Sequence, residues 1–290
     1  MGSGTWSRDA FVNYTCSTKM GATLDSLGSI TTTYSNQELF KSNKLDPALN
    51  PYKVTRECVD TEEHPNTLPV ILALDVTGSL GDAAVEVAKK LNVIMTDLYD
   101  KVKDVEFMIM GIGDMYCDRN PLQVSQFESD IRIAEQLDKL YFEFGGGGNY
   151  FESYSLAWYF GLRHCKLDCW NRGKKGVIIT MGDERLNPYI PKTGNRASFL
   201  DDIGDNIQSD VDTKELYGVA KEKFDIYHLH VDHDGRNWDE DNIKKSWGEY
   251  LDDKHFKVVT MDSITNAIVD IIMTSVNSNE SVGTVKEISW

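Results

Sequence analysis

Between residues 70 and 276 the chain alternates short, unbroken apolar runs with longer stretches whose apolar residues recur every three or four positions. Val70 to Leu74, Val105 to Ile112, Gly176 to Met181, Phe224 to Val231 and Phe256 to Thr260 read as strands buried on both faces. Ala83 to Leu98, Ile131 to Leu140, Glu152 to Cys165, Thr213 to Lys223, Trp238 to Leu251 and Ser263 to Thr274 read as helices. A strand without a polar face needs cover on both sides, and helices between successive strands supply it. The expected fold class is therefore α/β: a doubly wound, mostly parallel central sheet with helices on both faces. Ligands of such sheets bind beyond the carboxyl ends of the strands. This chain delivers Asp75, Asp114, Asp183 and Asp232 to that edge. Four acids on one edge repel unless a cation or water screens them.

The flanks read differently. Residues 1–68 are rich in Ser, Thr, Asn and Asp and are broken by Pro47, Pro51 and Pro65. They form an N-terminal arm with a β-prone piece at Ser29 to Tyr34 and a helical piece at Asn36 to Ser42. Trp6, Phe11 and Tyr14 are more aromatic material than a solvated tail carries, so the arm is expected to pack on the main domain (69–276) or on a neighbouring subunit. Residues 277–290 read as a polar tail ending in Ile288 and Trp290. Leu186 to Asp212 is Pro-, Gly- and Asp-rich and is expected to be a mobile flap beside Asp183.

Charge and composition exclude several roles. With 30 basic and 46 acidic residues the net charge is -16, which repels phosphate backbones and anionic lipid. No window approaches the ~20 consecutive apolar residues that span a bilayer. The first residues have neither a basic region nor an apolar core, and Trp6 breaks the myristoylation pattern that Gly2 suggests. A cytoplasmic location is expected. The five cysteines, Cys16, Cys58, Cys117, Cys165 and Cys169, are too scattered for a disulfide framework.

Three loops carry the chemistry. Asp75-Val76-Thr77-Gly78-Ser79 follows the first strand and offers a carboxylate and two hydroxyls at alternate positions. Gly145-Gly146-Gly147-Gly148-Asn149-Tyr150-Phe151-Glu152-Ser153 is side-chain-free backbone running into polar residues, and Thr180-Met181-Gly182-Asp183-Glu184 ends a later strand. Hard cations take such oxygen ligands, and Mg2+ keeps part of its shell for water or a partner's oxygen.

In order and placement these loops resemble the von Willebrand factor A (vWA) family, over about residues 68 to 276, and more narrowly its intracellular bacterial or phage-type members. In that family a DxSxS loop, a Gly-rich second loop and an Asp after a later strand form a metal-ion-dependent adhesion site. The resemblance places Asp75, Thr77 and Ser79 on the first motif, with Thr in place of the first Ser. It points to Asn149 in the second loop, with Glu152 or Ser153 as alternatives. In the third loop, where the family reads Thr-Asp-Gly, it points to Asp183 with Glu184 as the alternative. Asp114 is a further acid of the same edge. The resemblance implies a Mg2+ site, with Mn2+ or Ca2+ as alternatives, that docks a partner's Asp or Glu. It also implies an adaptor role, for example toward a MoxR-type AAA+ ATPase.

Other readings of the same residues are a metal-assisted phosphoester hydrolase, for which no nucleophile and base converge in the sequence, and a structural subunit of a homo-oligomer. The ordinary reading of the first loop is a strand-to-helix turn capped by Ser79. His164, Cys165 and Cys169, and separately His228, His230 and His233 with Asp232, have spacings compatible with a second metal. Buried thiols and hydrogen-bonded strand histidines account for both sets equally well.

Overall fold

A computed structural model describes residues 4–18, 22–32, 35, 44–77, 81–142, 149–232 and 239–281. Its centre is a six-stranded sheet of β1 (Leu68–Asp75), β2 (Val105–Ile112), β3 (Leu122–Val124), β4 (Gly176–Gly182), β5 (Phe224–Val231) and β6 (Phe256–Val259). The order is β6-β5-β4-β1-β2-β3, with every neighbouring pair parallel except β2 and β3. The first strand in sequence lies inside the sheet, and the chain winds outward from it in both directions. This is the doubly wound arrangement that the alternating apolar runs predict.

Both faces of β1 are buried along its length. Val70, Leu72 and Leu74 pack into one core while Ile71 and Ala73 pack into the other, as the two-residue period of a strand requires. The first core is closed by α1 (Arg8–Thr18), α2 (Gly81–Tyr99), α3 (Arg132–Leu137) and α7 (Ile264–Ser281). The second is closed by α4 (Ser155–His164), α5 (Thr213–Lys223) and α6 (Glu240–Gly248), and it holds the fully buried Trp158 and Trp247. No helix among the described residues is long and apolar enough to cross a membrane.

The arm is more ordered than its composition suggests. Helix α1 has weak amphipathic patterning, yet Phe11 is buried and Trp6 joins the first core while donating its indole N–H to Asn92 Oδ1 at 3.2 Å. Tyr14 donates to Asp138 at 2.7 Å. Farther on, Arg56–Cys58 pairs in parallel with Cys165–Leu167. Of the two pieces expected in the arm, a short strand lies at Ile30–Thr31, and Asn36 to Ser42 falls outside the described residues.

Two other segments depart from the sequence reading. The stretch from 186 to 212 is packed: Ile190, Phe199 and Ile203 are buried in the second core, and Tyr189–Ile190 pairs with Val211–Asp212. Its apolar residues are too sparse for any period to reveal them. Helix α7 continues to Ser281, past the expected end at Thr274. No Gly or Pro stops it, Ser275 is buried, and the hydroxyls of Thr274 and Ser278 bond back to carbonyls four residues earlier.

Candidate metal centre

Parallel register brings the carboxyl ends of four strands to one edge. Asp75 is opposite Ile112, Leu74 opposite Met181, and Gly182 opposite His230. Asp75, Asp114, Asp183 and Asp232 thus leave the sheet on the same side, as the sequence order implies.

Asp75 is completely buried. Its Oδ1 accepts the Thr77 backbone N–H at 2.9 Å and lies 2.7 Å from the Thr77 hydroxyl. Its Oδ2 accepts the Tyr154 hydroxyl at 2.8 Å. The Thr77 oxygen is also 3.1 Å from Glu152 Oε1. A hydroxyl has one proton to give, so it cannot donate to both carboxylates at once. Either one of the two carboxyls, Asp75 or Glu152, carries a proton and donates to Thr77, or positive charge lies among these oxygens.

The electrostatics point the same way. Burial first, then the nearby charge of Asp183, pushes the Asp75 carboxyl up to about 8. Burial, followed by the charges of Asp75, Asp118 and Asp114, pushes Glu152 well above the usual carboxylate range. Glu184 is raised to about 7 by burial and then by Asp183. Among the described residues, Glu152 Oε2 is buried without a hydrogen-bond partner. Among the described residues no Lys, Arg or His forms an ion pair with Asp75 or Glu152. Arg185, the cation that follows the third loop, is committed to Asp239 through two bonds of 2.5 and 2.6 Å. Buried carboxylates without a counter-charge are costly; they take up a proton, the direction in which Asp75 and Glu152 are pushed, or they pair with a cation.

The sequence candidates divide into two groups. Asp75, Thr77 and Glu152 converge, and Asp183 lies close enough for its charge to act on Asp75. Asn149, Ser153 and Asp114 form a hydrogen-bonded knot beside them, near enough for the Asp114 charge to act on Glu152. Asp114 Oδ2 accepts the Asn149 amide at 2.7 Å, while Oδ1 accepts from Ser153 at 3.1 Å, from Asn187 at 3.2 Å and from the Tyr116 N–H at 3.1 Å. The Asn149 carbonyl is taken by the Phe151 N–H at 3.1 Å, and Ser153 Oγ by the Met115 N–H at 3.0 Å. These three residues hold the second loop against the loop after β2, and Glu152 is the side chain that the second loop aims at Thr77. Ser79 and Gly145 to Gly148 fall outside the described residues.

Tyr154 was not among the candidates. It accepts the Glu184 N–H at 3.3 Å while donating to Asp75, so its hydroxyl links the first and third loops. Only its place directly after Glu152-Ser153 could have drawn attention to it.

The donor set is oxygen throughout, which suits a hard ion of the Mg2+ class and not a thiol- or imidazole-preferring one. Among the described residues no three His, Cys, Asp or Glu side chains form a metal-holding group, so a centre here depends on the Thr77 hydroxyl as well as on carboxylates. The two alternative sets have other engagements. His164 bonds Asp205 at 2.8 Å and the Val54 carbonyl at 3.2 Å, and Cys165 and Cys169 are buried free thiols. His228 stacks on Trp247 with ring centres 3.7 Å apart and contacts Thr180 Oγ1 at 2.9 Å, while His233 falls outside the described residues.

No protein-family model matches the chain, and no curated protein matches it in sequence. Solved structures do resemble it in fold. The pilus adhesin SpaC from Lactobacillus rhamnosus GG aligns with a TM-score of 0.50 at 13% identity, over 79% of this chain and 32% of SpaC. The vWF domain of the type V pili tip protein Mfa5 from Porphyromonas gingivalis aligns with a TM-score of 0.49 at 11% identity, over 77% of this chain and 98% of that domain. This chain therefore spans about a third of SpaC, and at such identities a likeness concerns the fold alone. The fold is a doubly wound α/β domain built on a mostly parallel six-stranded sheet.

Proposed function

We propose that this chain is a metal-dependent protein-binding module. Asp75, Thr77 and Glu152 would hold a Mg2+-type ion, with Asp183 beside them and Ser79 as the further ligand that the motif implies. Such an ion supplies the positive charge these buried oxygens need and keeps a position for a carboxylate from a partner. The residues prepare this without it: Asp75 is held by three hydrogen bonds, and Glu152, whose carboxyl is pushed up by burial and by the neighbouring acids, turns an oxygen to the Thr77 hydroxyl. The observation that carries the reading is the Thr77 hydroxyl wedged between two buried carboxyl groups that pair with no Lys, Arg or His among the described residues.

The direct test is calorimetric titration of EDTA-stripped protein with MgCl2, MnCl2 and CaCl2. Wild type should take up one ion per chain, and Asp75→Asn should lose the uptake while its circular dichroism stays unchanged. A wild type that binds none of the three rejects the reading. The partner class implied by the family resemblance, a MoxR-type AAA+ ATPase, is a suitable bait for capture with and without EDTA. Capture that is indifferent to EDTA rejects a metal-dependent interface.

A further inference from the structure

We infer that the amino-terminal pole of the sheet carries a binding site for a small organic polyphosphate, independent of the candidate metal centre at the opposite edge.

A cleft of about 430 Å3 opens where β1, β2 and β4 begin, within the size range of small-molecule sites. The turn before β2 contributes Lys101 and Lys103, and the turn before β4 contributes Arg172, Lys174 and Lys175. Against these five cations stands one carboxylate among the described lining residues, Asp104, whose Oδ1 lies 3.4 Å from His64 Nδ1. The chain as a whole has 46 acidic against 30 basic residues, so the cleft is a local inversion of its charge. The floor is apolar, made by Leu68, Val102, Cys169 and, from α7, Val276.

The cations differ in how they are held. Arg172 pairs with Asp60 and donates to the Thr67 carbonyl at 2.7 Å, which pins its guanidinium at the rim. Lys175 donates to the Lys221 carbonyl at 2.6 Å, with Asp225 3.8 Å away. Lys101 and Lys103 are exposed and enter no ion pair among the described residues. Nor are their ammonium groups needed to close α2, because the Leu98 carbonyl already accepts the backbone N–H groups of Lys101 and Val102 at 2.9 and 2.7 Å. The net charge of -16 opposes long phosphate backbones, yet a compact anion meets only the local field. Across the eight residues of β1, at about 3.3 Å each, Asp75 lies about 23 Å from the Leu68 end. That is well beyond the ~8 Å over which exposed charges act at physiological ionic strength. Two ammonium groups beside a pinned guanidinium suit a ligand with at least two phosphoryl charges. The apolar floor suits an organic body joined to them.

The test is calorimetric titration of the full-length protein with ATP, sodium pyrophosphate and adenosine, all in EDTA so that no divalent ion takes part. Wild type should bind one ATP per chain, pyrophosphate more weakly and adenosine least, and the ATP affinity should fall as NaCl rises. Lys101→Glu and Lys103→Glu should each weaken ATP binding about tenfold, because each turns an attraction into a repulsion. Both side chains are exposed, so both variants should fold as wild type does. Lys245→Glu makes the same charge change on α6, outside the cleft, and should leave the affinity within about twofold. A wild type that takes up no ATP, equal weakening by all three variants, or adenosine bound as tightly as ATP overturns the inference. Each of these outcomes leaves the Mg2+ titration untouched, so the metal reading stands or falls separately.

Discussion

Glu152→Gln separates the two halves of the argument, because stability and metal binding should move in opposite directions. In the ion-free protein Glu152 is buried, its Oε2 has no partner, and the charges of Asp75, Asp118 and Asp114 all oppose its ionisation. Its folded pKa thus lies above that of the unfolded chain. Stability linked to it is fully present below the unfolded carboxyl value and is lost as pH rises toward the folded value. Glutamine mimics the protonated acid and escapes that loss. At pH 4 variant and wild type should be nearly equal in EDTA. At pH 7.5 the variant should be more stable by about 1–3 kcal/mol, the cost of a buried unsatisfied group. At about 2–4 °C per kcal/mol this is a rise of several degrees in Tm. With Mg2+ present that advantage should close or reverse. Wild type gains about 2.7 kcal/mol at one hundred times Kd, and the variant gains little because the amide offers no charge. Thermal and urea melts at both pH values, with EDTA and with MgCl2, read all four states. A variant that is destabilised in EDTA at pH 7.5 would show that Glu152 is not an uncompensated charge. An equal Mg2+ gain in both proteins would show that Glu152 does not face the ion.

Other expectations follow from the same geometry. Asp75 is pushed up to about 8, so the EDTA-treated protein should lose stability steadily from about pH 4 to about pH 8; saturating Mg2+ should flatten that slope in urea melts, and a flat profile without metal refutes the assignment. Asp114→Asn should weaken metal binding less than Asp75→Asn, since Asp114 spends its oxygens on anchoring Asn149 and Ser153; parallel titrations compare the two. Phe11→Ala should cost about 3–5 kcal/mol in urea unfolding and expose the arm to limited proteolysis; an arm that does not belong to the core would tolerate it. Trp247→Ala should cost a similar ~3–5 kcal/mol and remove the nearer of the two rings stacked on His228, read as loss of stability at every pH.

Much of this molecule is written in short-range pattern. Val105–Ile112, Thr213–Lys223 and Phe224–Val231 have the boundaries that the apolar runs and helical period assign. A strand covered on both faces must be apolar throughout, and an amphipathic helix must repeat near 3.6 residues, so these elements advertise themselves locally. The gathering of acids at one edge follows from the parallel order that such alternation demands. Helix α1 and the 186–212 segment were not legible in this way, because a few apolar residues among Ser, Thr and Asp form no period. Trp6, Phe11, Phe199 and Ile203 become core only when the sheet and α2 offer surfaces to cover.

The sequence alone therefore determined the doubly wound fold and the gathering of Asp75, Asp114, Asp183 and Asp232 at one edge of its sheet. Tertiary structure decided which second-loop residue meets Thr77: Glu152, because Asn149 and Ser153 are drawn off by Asp114. It also brought Tyr154 beneath Asp75, a contact permitted only by the missing side chain at Gly182. Patterns along a chain record burial, which depends on near neighbours. Which of several oxygens faces a given hydroxyl is settled by competition among hydrogen bonds between loops far apart in sequence, and no local period carries that information.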